Sequence, residues 1–408
     1  MLVHIIELKY VKRIYVLLFA MILINPLLSK IITITTVLRS AELFCYIGIF
    51  YYEYKLYKGG CLRSLAGYEK FLFVLLFAIS IGIIFRGQWP TSPKDFMLHI
   101  LTTPTYLLPF IILKLPNEKY FKELLRLFFK ISLLVIPLWI INHSELVQIG
   151  TYKAEDIGSY LPFISAFLLG LSTYFSKKQR NINIILWIIY FMLMMLNARR
   201  NVSFSLLLYA VIAYIFTSLS SLKKNVAKTL IVFLFSILTG LILLLNFDSL
   251  VSGVFNNMAN RANEDTRSGV EGLFFADFSN APVTDWIFGR GMDGGYYQPM
   301  RNEETGEVSD NRRVIETGYL NMMLKGGIIY DAVIILIMLL AIKRGFTKHN
   351  SVYKYISIIL LTYFIDLYTT NPVCTFSVRS ILFWFCISIF LNDQKIWGTE
   401  RSVNESVG

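Results

Sequence analysis

The chain is 408 residues long, 55% hydrophobic and 15% aromatic, with only 16% charged residues and a formal charge of +12. Soluble proteins are about 45–50% apolar and about 25% charged, so two or three soluble domains built from this chain would have no adequate polar surface. A soluble enzyme, a disordered chain and a disulfide-stapled secreted domain are excluded; the sequence reads as a polytopic membrane protein.

Apolar blocks fall at residues 14–28, 35–52, 71–85, 96–113, 127–141, 158–175, 182–197, 202–220, 229–247, 328–342, 353–370 and 374–391. Most approach the roughly 17–25 residues that a membrane-crossing helix needs. The fold class expected is therefore all-α, with about 12 (11–12) transmembrane helices. Spans 1–9 occupy 1–247, a long loop with short surface helices occupies 248–327, spans 10–12 occupy 328–392, and 393–408 is a tail. Lys9, Lys12 and Arg13 precede the first block as in a signal peptide. Asn25-Pro26 ends that block without a small-residue cleavage site, which reads as an uncleaved first span. Pro104, Pro109, Pro137 and Pro162 lie inside blocks, where neighbouring helices absorb a kink. Cys45, Cys61, Cys374 and Cys386 lack metal-ligand spacing and read as core residues.

Positive charge invites a nucleic-acid reading, but in such a chain Lys and Arg first of all set orientation. With the N-terminus inside, the inner segments carry 23 Lys and Arg and the outer ones 12, six of those in the loop 248–313. Both ends are thus expected in the cytoplasm, and no nucleic-acid partner is implied. The exceptions are more informative. The loop has six arginines (261, 267, 290, 301, 312, 313), no lysine and eleven acidic residues. Arginine without lysine suits bidentate recognition of phosphate or carboxylate, although an acidic loop also recruits arginine for internal ion pairs. Arg199 and Arg200 occupy a tight outer turn, against the positive-inside trend. Arg39 and Arg379 lie inside blocks near their outer ends, where an ionisable residue is a candidate functional group. Asp366, at a similar depth on the other arm of the last hairpin, is the expected ion-pair partner of Arg379.

Within the loop, Gly289, Gly291 and Gly294 match G-x-G-x-x-G. The dinucleotide fingerprint needs a strand before and a helix after it, whereas Tyr296, Tyr297 and Pro299 follow here. The glycines are instead expected to form a flexible turn with aromatic faces for a sugar. Residues 314–327 read as a short surface helix leading into the tenth span. Glu316 stands at its first turn, either as an ordinary helix-start carboxylate or as a group facing a substrate hydroxyl.

An outer arginine turn opening a span, an arginine-bearing loop with a glycine-rich turn, and the run Gly318-Tyr-Leu-Asn-Met-Met-Leu-Lys-Gly-Gly-Ile-Ile-Tyr330 together resemble the bacterial O-antigen polymerase (Wzy-type) and O-antigen ligase group. The resemblance covers about 195–345. It implies a GT-C-like integral-membrane glycosyltransferase of the inner membrane whose site faces outward. By the same resemblance Arg200 or Arg199 matches the arginine opening the conserved span, and Arg267 the loop arginine. Arg261 and Gly272 match the R-x10-G spacing of polymerase loops. Ligases carry a histidine where this chain has Glu316, and none of His4, His99, His143 or His349 replaces it, which leans toward a polymerase.

The mechanism implied is inverting transfer between two polyprenyl-pyrophosphate-linked glycans, with no metal or other cofactor. Arg200 and Arg267 with Glu316 are the catalytic candidates; Arg199, Arg261, Arg290, Arg313 and Tyr319 are the pyrophosphate and substrate candidates. Arg312 and Arg313, four and three residues before Glu316, weaken it as a base and favour hydroxyl positioning. Membrane lipid and a chain-length regulator are the other expected partners. A ligase-type transferase and a lipid-linked oligosaccharide flippase remain alternatives.

Overall fold

The computed structural model describes residues 2–28, 35–62, 65, 67–86, 93–134, 136–137, 161–196, 200–220, 266–301, 308–348 and 350–391. The described part is mostly helical (80%) with almost no sheet. Two of its helices, Gly67–Phe85 and Gly318–Thr347, are long and apolar enough to cross a membrane.

In chain order the helices are α1 (Leu2–Leu28), α2 (Thr35–Lys58), α3 (Gly67–Phe85), α4 (Pro93–Lys114), α5 (Phe121–Ser132), α6 (Pro162–Leu169), α7 (Lys177–Leu196) and α8 (Arg200–Ser220). They continue as α9 (Thr266–Ser279), α10 (Val283–Phe288), α11 (Gly318–Thr347), α12 (Ser351–Asp366) and α13 (Val378–Phe390). The ninth apolar block lies outside the described residues. One departure from an all-α chain is an antiparallel hairpin in the long loop, β1 (Tyr296–Arg301) with β2 (Val308–Arg312).

The sixth block differs from the continuous span expected of it, and α5 overlaps only the start of the fifth, whose last residues lie outside the described residues. In α5, Lys122, Arg126 and Lys130 share an exposed face, opposite buried Leu124, Leu125, Phe128 and Phe129. That is an amphipathic helix, and its twelve residues cover roughly 18 Å, well short of a bilayer core. In the sixth block, α6 stops at Leu169 and gives way to a short 3-10 turn at Ser172–Tyr174. Gly170 marks the change, since a Cβ there would lie 2.2 Å from the Tyr355 ring.

The chain divides into two compact units. Unit 1 comprises Met1–Leu127, Arg267–Lys348 and Leu360–Gly408. In it α1 pairs with α2, while α4 and α11 each pack against α3 and α13. Asn117, fully buried, ties three parts of this unit together: it accepts from Tyr15 Oη (2.9 Å) and donates to Ser388 Oγ (2.7 Å) and to the Ile112 carbonyl (3.0 Å). Asn117→Leu would leave the Tyr15 hydroxyl and the Ile112 carbonyl without these bonds. The expected loss is about 1–3 kcal/mol, read as a lower melting temperature in detergent.

Unit 2 comprises Phe128–Thr266 and His349–Ile359. Its polar ties run to the main chain: Tyr355 Oη donates to the Phe167 carbonyl (2.9 Å), Asn183 to the Ser165 carbonyl (3.0 Å) and Tyr190 to the Ser132 carbonyl (2.9 Å). The first of these bonds satisfies a carbonyl at the end of α6, because the Leu171 N–H four residues on goes to Leu168 instead.

α11 is interrupted. Gly327 has φ 68° and ψ −173°, which separates the stretch 318–326 from 328–347. The backbone there lies against α10, so close that a Cβ on Gly327 would be 2.2 Å from the Ile287 carbonyl oxygen. Only glycine accommodates both the positive φ and the approach.

The expected pair between Arg379 and Asp366 is formed, with Nη2 and Oδ2 2.5 Å apart and the side chains 10% and 11% exposed. Arg39 is satisfied locally by Glu42, 2.9 Å away and one turn along α2. Both intrablock arginines therefore meet a carboxylate; for Arg379, the buried one of the two, this is how such a charge is normally tolerated.

Candidate functional site

The described part of the loop, from Arg267 on, folds into a module in unit 1. Phe274 and Phe278 of α9, Tyr296 of β1, and Ile315, Met323 and Leu324 around the start of α11 form its apolar core. Val270, Trp286 and Leu320 pack on the edge of that core, and Trp286 Nε1 donates to the Phe278 carbonyl at 2.9 Å. Phe274 and Phe278 stack at 4.4 Å between centroids, with Tyr296 edge-on to Phe274. Six apolar side chains from four separate stretches converge here into one contiguous cluster.

Ion pairs surround this core. Arg290 Nε binds Asp285 Oδ2 at 3.0 Å, its Nη1 binds Asp277 and the Gly295 carbonyl, and the guanidinium lies over the Phe278 ring at 4.6 Å. Arg86, at the end of α3, reaches Asp285 Oδ1 and the Thr284 carbonyl, each at 3.1 Å. Asp285 thus bridges two arginines. Arg290, a pyrophosphate candidate on the composition of the loop, is instead committed to two carboxylates and a carbonyl of its own loop. For this residue the loop-internal ion-pair alternative describes what is found.

The glycine turn is fixed, where its composition alone predicts a flexible one. Gly289 (φ +69°) and Gly291 (φ +80°) adopt left-handed conformations, and a Cβ on Gly291 would fall 1.5 Å from the Arg86 carbonyl oxygen. Three main-chain bonds fasten the turn: Arg290 N–H to Leu324 O (2.7 Å), Gly291 N–H to Lys325 O (3.0 Å) and Met292 N–H to Ile83 O (2.9 Å). Lys325, 4% exposed, completes the lock by donating from Nζ to the carbonyls of Met292 (2.7 Å) and Gly294 (2.8 Å). The carbonyls it holds belong to the residues on either side of Asp293. That carboxylate points at α4, where Oδ2 lies 2.6 Å from His99 Nδ1.

The remaining candidates are distributed as follows. Glu316 precedes α11, whose N-cap is Thr317; its side chain is 67% exposed and its nearest cation is Arg312 Nη2 at 3.7 Å. Arg312 also donates to Gln298 Oε1 at 3.2 Å. Burial raises the Tyr296 phenol above its ordinary value; neighbouring Arg312 acts in the opposite direction. Arg313 is exposed and within electrostatic reach of Lys325. Tyr319 donates to the Phe364 carbonyl at 2.6 Å, which fixes α11 against α12 within unit 1 and commits its hydroxyl to structure.

Arg199 and Arg261 lie outside the described residues. Arg200 opens α8 in unit 2 and Arg267 stands in the first turn of α9 in unit 1, and both side chains lie outside the described residues. Gly272 sits within α9 with nothing within 4 Å of a Cβ, so no local conformation calls for glycine there.

Three functional-type residues, His99, Asp293 and Lys325, are absent from the sequence-based candidates. Lys325 carried a signal, being an ionisable residue at the edge of an apolar run. His99 and Asp293 are 194 positions apart; Asp293 lies inside the Gly289–Gly294 match set aside above, and His99 stands in no motif. Comparison with known proteins finds no family model, no curated protein and no solved structure that matches the chain.

Proposed function

We propose that this chain is a polysaccharide polymerase of the bacterial inner membrane. It would join polyprenyl-pyrophosphate-linked repeat units by inverting, metal-independent glycosyl transfer at the outer face. Such a protein would have about 12 spans in a GT-C-like arrangement, cytoplasmic termini and the module 266–312 on the outside.

The observation that carries the reading is the module's edge at the start of α11. Of the loop arginines with described side chains, Arg290 and Arg312 are engaged by acidic or amide groups of the loop, whereas Arg313 is exposed, as is Glu316 three residues on. An exposed guanidinium and an exposed carboxylate on a rigid support suit an anionic leaving group and an acceptor hydroxyl respectively. Arginine stabilises the charge that develops on the pyrophosphate as the glycosidic bond breaks. Glu316, well solvated, orients the acceptor by hydrogen bonding.

The test is to incubate the detergent-purified full chain with lipid-linked repeat units and resolve the products by size. A ladder is the expected result. A single transfer to another lipid or core would indicate a ligase, and no new bond a transporter. Arg267→Lys and Arg200→Lys, assayed separately, are each expected to lower the rate about 100-fold, as loss of one preorganised donor does. Glu316→Gln is expected to keep most activity, because an amide can still bond the hydroxyl. Full activity in both lysine variants would exclude bidentate pyrophosphate binding by these residues.

A further inference from the structure

The pairing of His99 with Asp293 has the form of a proton-transfer centre. The Nδ1···Oδ2 separation is 2.6 Å, and the side chains are 13% and 25% exposed, so the pair is sheltered without being sealed. A carboxylate on Nδ1 fixes the tautomer in which Nδ1 carries the proton and Nε2 the lone pair, and it stabilises the imidazolium once formed.

The scaffold is built to hold this pair. Asp293 lies in a turn fastened by three main-chain bonds and by the Lys325 ammonium, which grips the carbonyls before and after it. His99 is fixed on α4, where the Thr102 and Thr103 hydroxyls both donate to its carbonyl at 3.0 and 2.9 Å. Rigid elements that lock a carboxylate onto an imidazole are what general-base chemistry requires.

We propose that His99, oriented by Asp293, is the general base that takes the acceptor hydroxyl's proton. The proposal rests on the transferase reading above. As the acceptor oxygen bonds to the anomeric carbon, its proton moves to His99 Nε2. The electron pair of the breaking carbon–oxygen bond leaves on the lipid pyrophosphate. The imidazolium then returns its proton to water, and no oxidant or further reactant is required. This assigns the proton to a different residue from Glu316, whose exposure suits it to positioning.

Among the described residues, Tyr106 on α4 and Lys325 on α11 interact electrostatically with Asp293, and Arg313, Tyr330 and Cys374 interact in turn with those two. A pH profile must therefore be tied to His99 by substitution.

Two readouts on the full-length protein test this. The first is the initial rate of ladder formation from about pH 5 to 9, a range that brackets the imidazole titration. Wild type should lose rate on the acid side, since a protonated imidazole cannot accept a proton. His99→Gln should lose about 100-fold or more, the usual range for a general base, and should lose that acid limb. The second is the nitrogen NMR spectrum of histidine-labelled protein, with His99 assigned by its disappearance in His99→Gln. Asp293→Asn should shift the His99 resonances and tautomer ratio.

If His99→Gln keeps the wild-type rate and acid limb, the base role is overturned. If the His99 spectrum ignores Asp293→Asn, the dyad itself is overturned. If wild type makes no ladder while the spectrum responds, the polymerase reading fails and the base role falls with it, leaving the His99–Asp293 contact as structure.

Discussion

Gly291→Ala should detach the loop module from α3. The alanine would have to hold φ near +80° with its Cβ 1.5 Å from the Arg86 carbonyl oxygen and 2.4 Å from the carbon. The left-handed conformation costs about 1–2 kcal/mol by itself. The overlap is with main chain, so no side-chain rotation relieves it and the turn must move. Movement breaks the bonds from Gly291 N–H to Lys325 O and from Met292 N–H to Ile83 O. The measurement is limited proteolysis in detergent: cleavage within 266–312 should accelerate several-fold, while the helices of unit 2 keep their pattern. Gly269→Ala is the control. It lies in α9 with open space around a Cβ and should stabilise by about 0.5–1 kcal/mol. Equal behaviour of the two variants would refute the account of the turn as locked.

The second large effect concerns Asp366 and Arg379. Their side chains are about nine-tenths buried and joined at 2.5 Å. Removing one partner strands a charge, and the expected cost of Asp366→Ala is about 3–5 kcal/mol, enough to unfold many proteins outright. Replacing both, as Asp366→Leu with Arg379→Met, should recover most of that loss, because an apolar pair of similar size needs no compensation. Thermal unfolding in a fixed detergent compares the three proteins. A double variant as unstable as the single one would mean the pair acts through some other contact, of which the Arg379 guanidinium over the Tyr363 ring, 5.8 Å from its centroid, is the first to examine.

Much of the helical layout could be read from the sequence because long apolar runs state their own solvent. The Asp366–Arg379 pair was readable for a related reason: the two residues lie at matching depths on the arms of one short hairpin. Gly170 and the amphipathic α5 were harder. In the first case the reason for the break is a tyrosine 185 positions away. In the second, Lys122, Arg126 and Lys130 fall one turn apart at the edge of the apolar block, so composition and periodicity pointed in different directions. At the candidate site the turn's rigidity depends on the carbonyl of Arg86 and the ammonium of Lys325, and the imidazole of His99 is equally remote from Asp293. A single sequence holds no record of such meetings. What it did indicate, an excess of arginine in an acidic loop, turned out to carry two meanings at once: Arg290 is engaged within the fold and Arg313 is exposed.

The break at Gly327 has a mechanical consequence. The residues just before it grip the glycine turn, and the residues after it continue as twenty positions of helix, 328–347, about 30 Å long and comparable to a bilayer's hydrocarbon core. Any force applied to the turn is therefore delivered to the top of that helix through one short lever. A displacement of the turn would tilt that helix as a whole, and a tilt of the helix would move the turn. The locked turn and the long apolar helix thus share one joint.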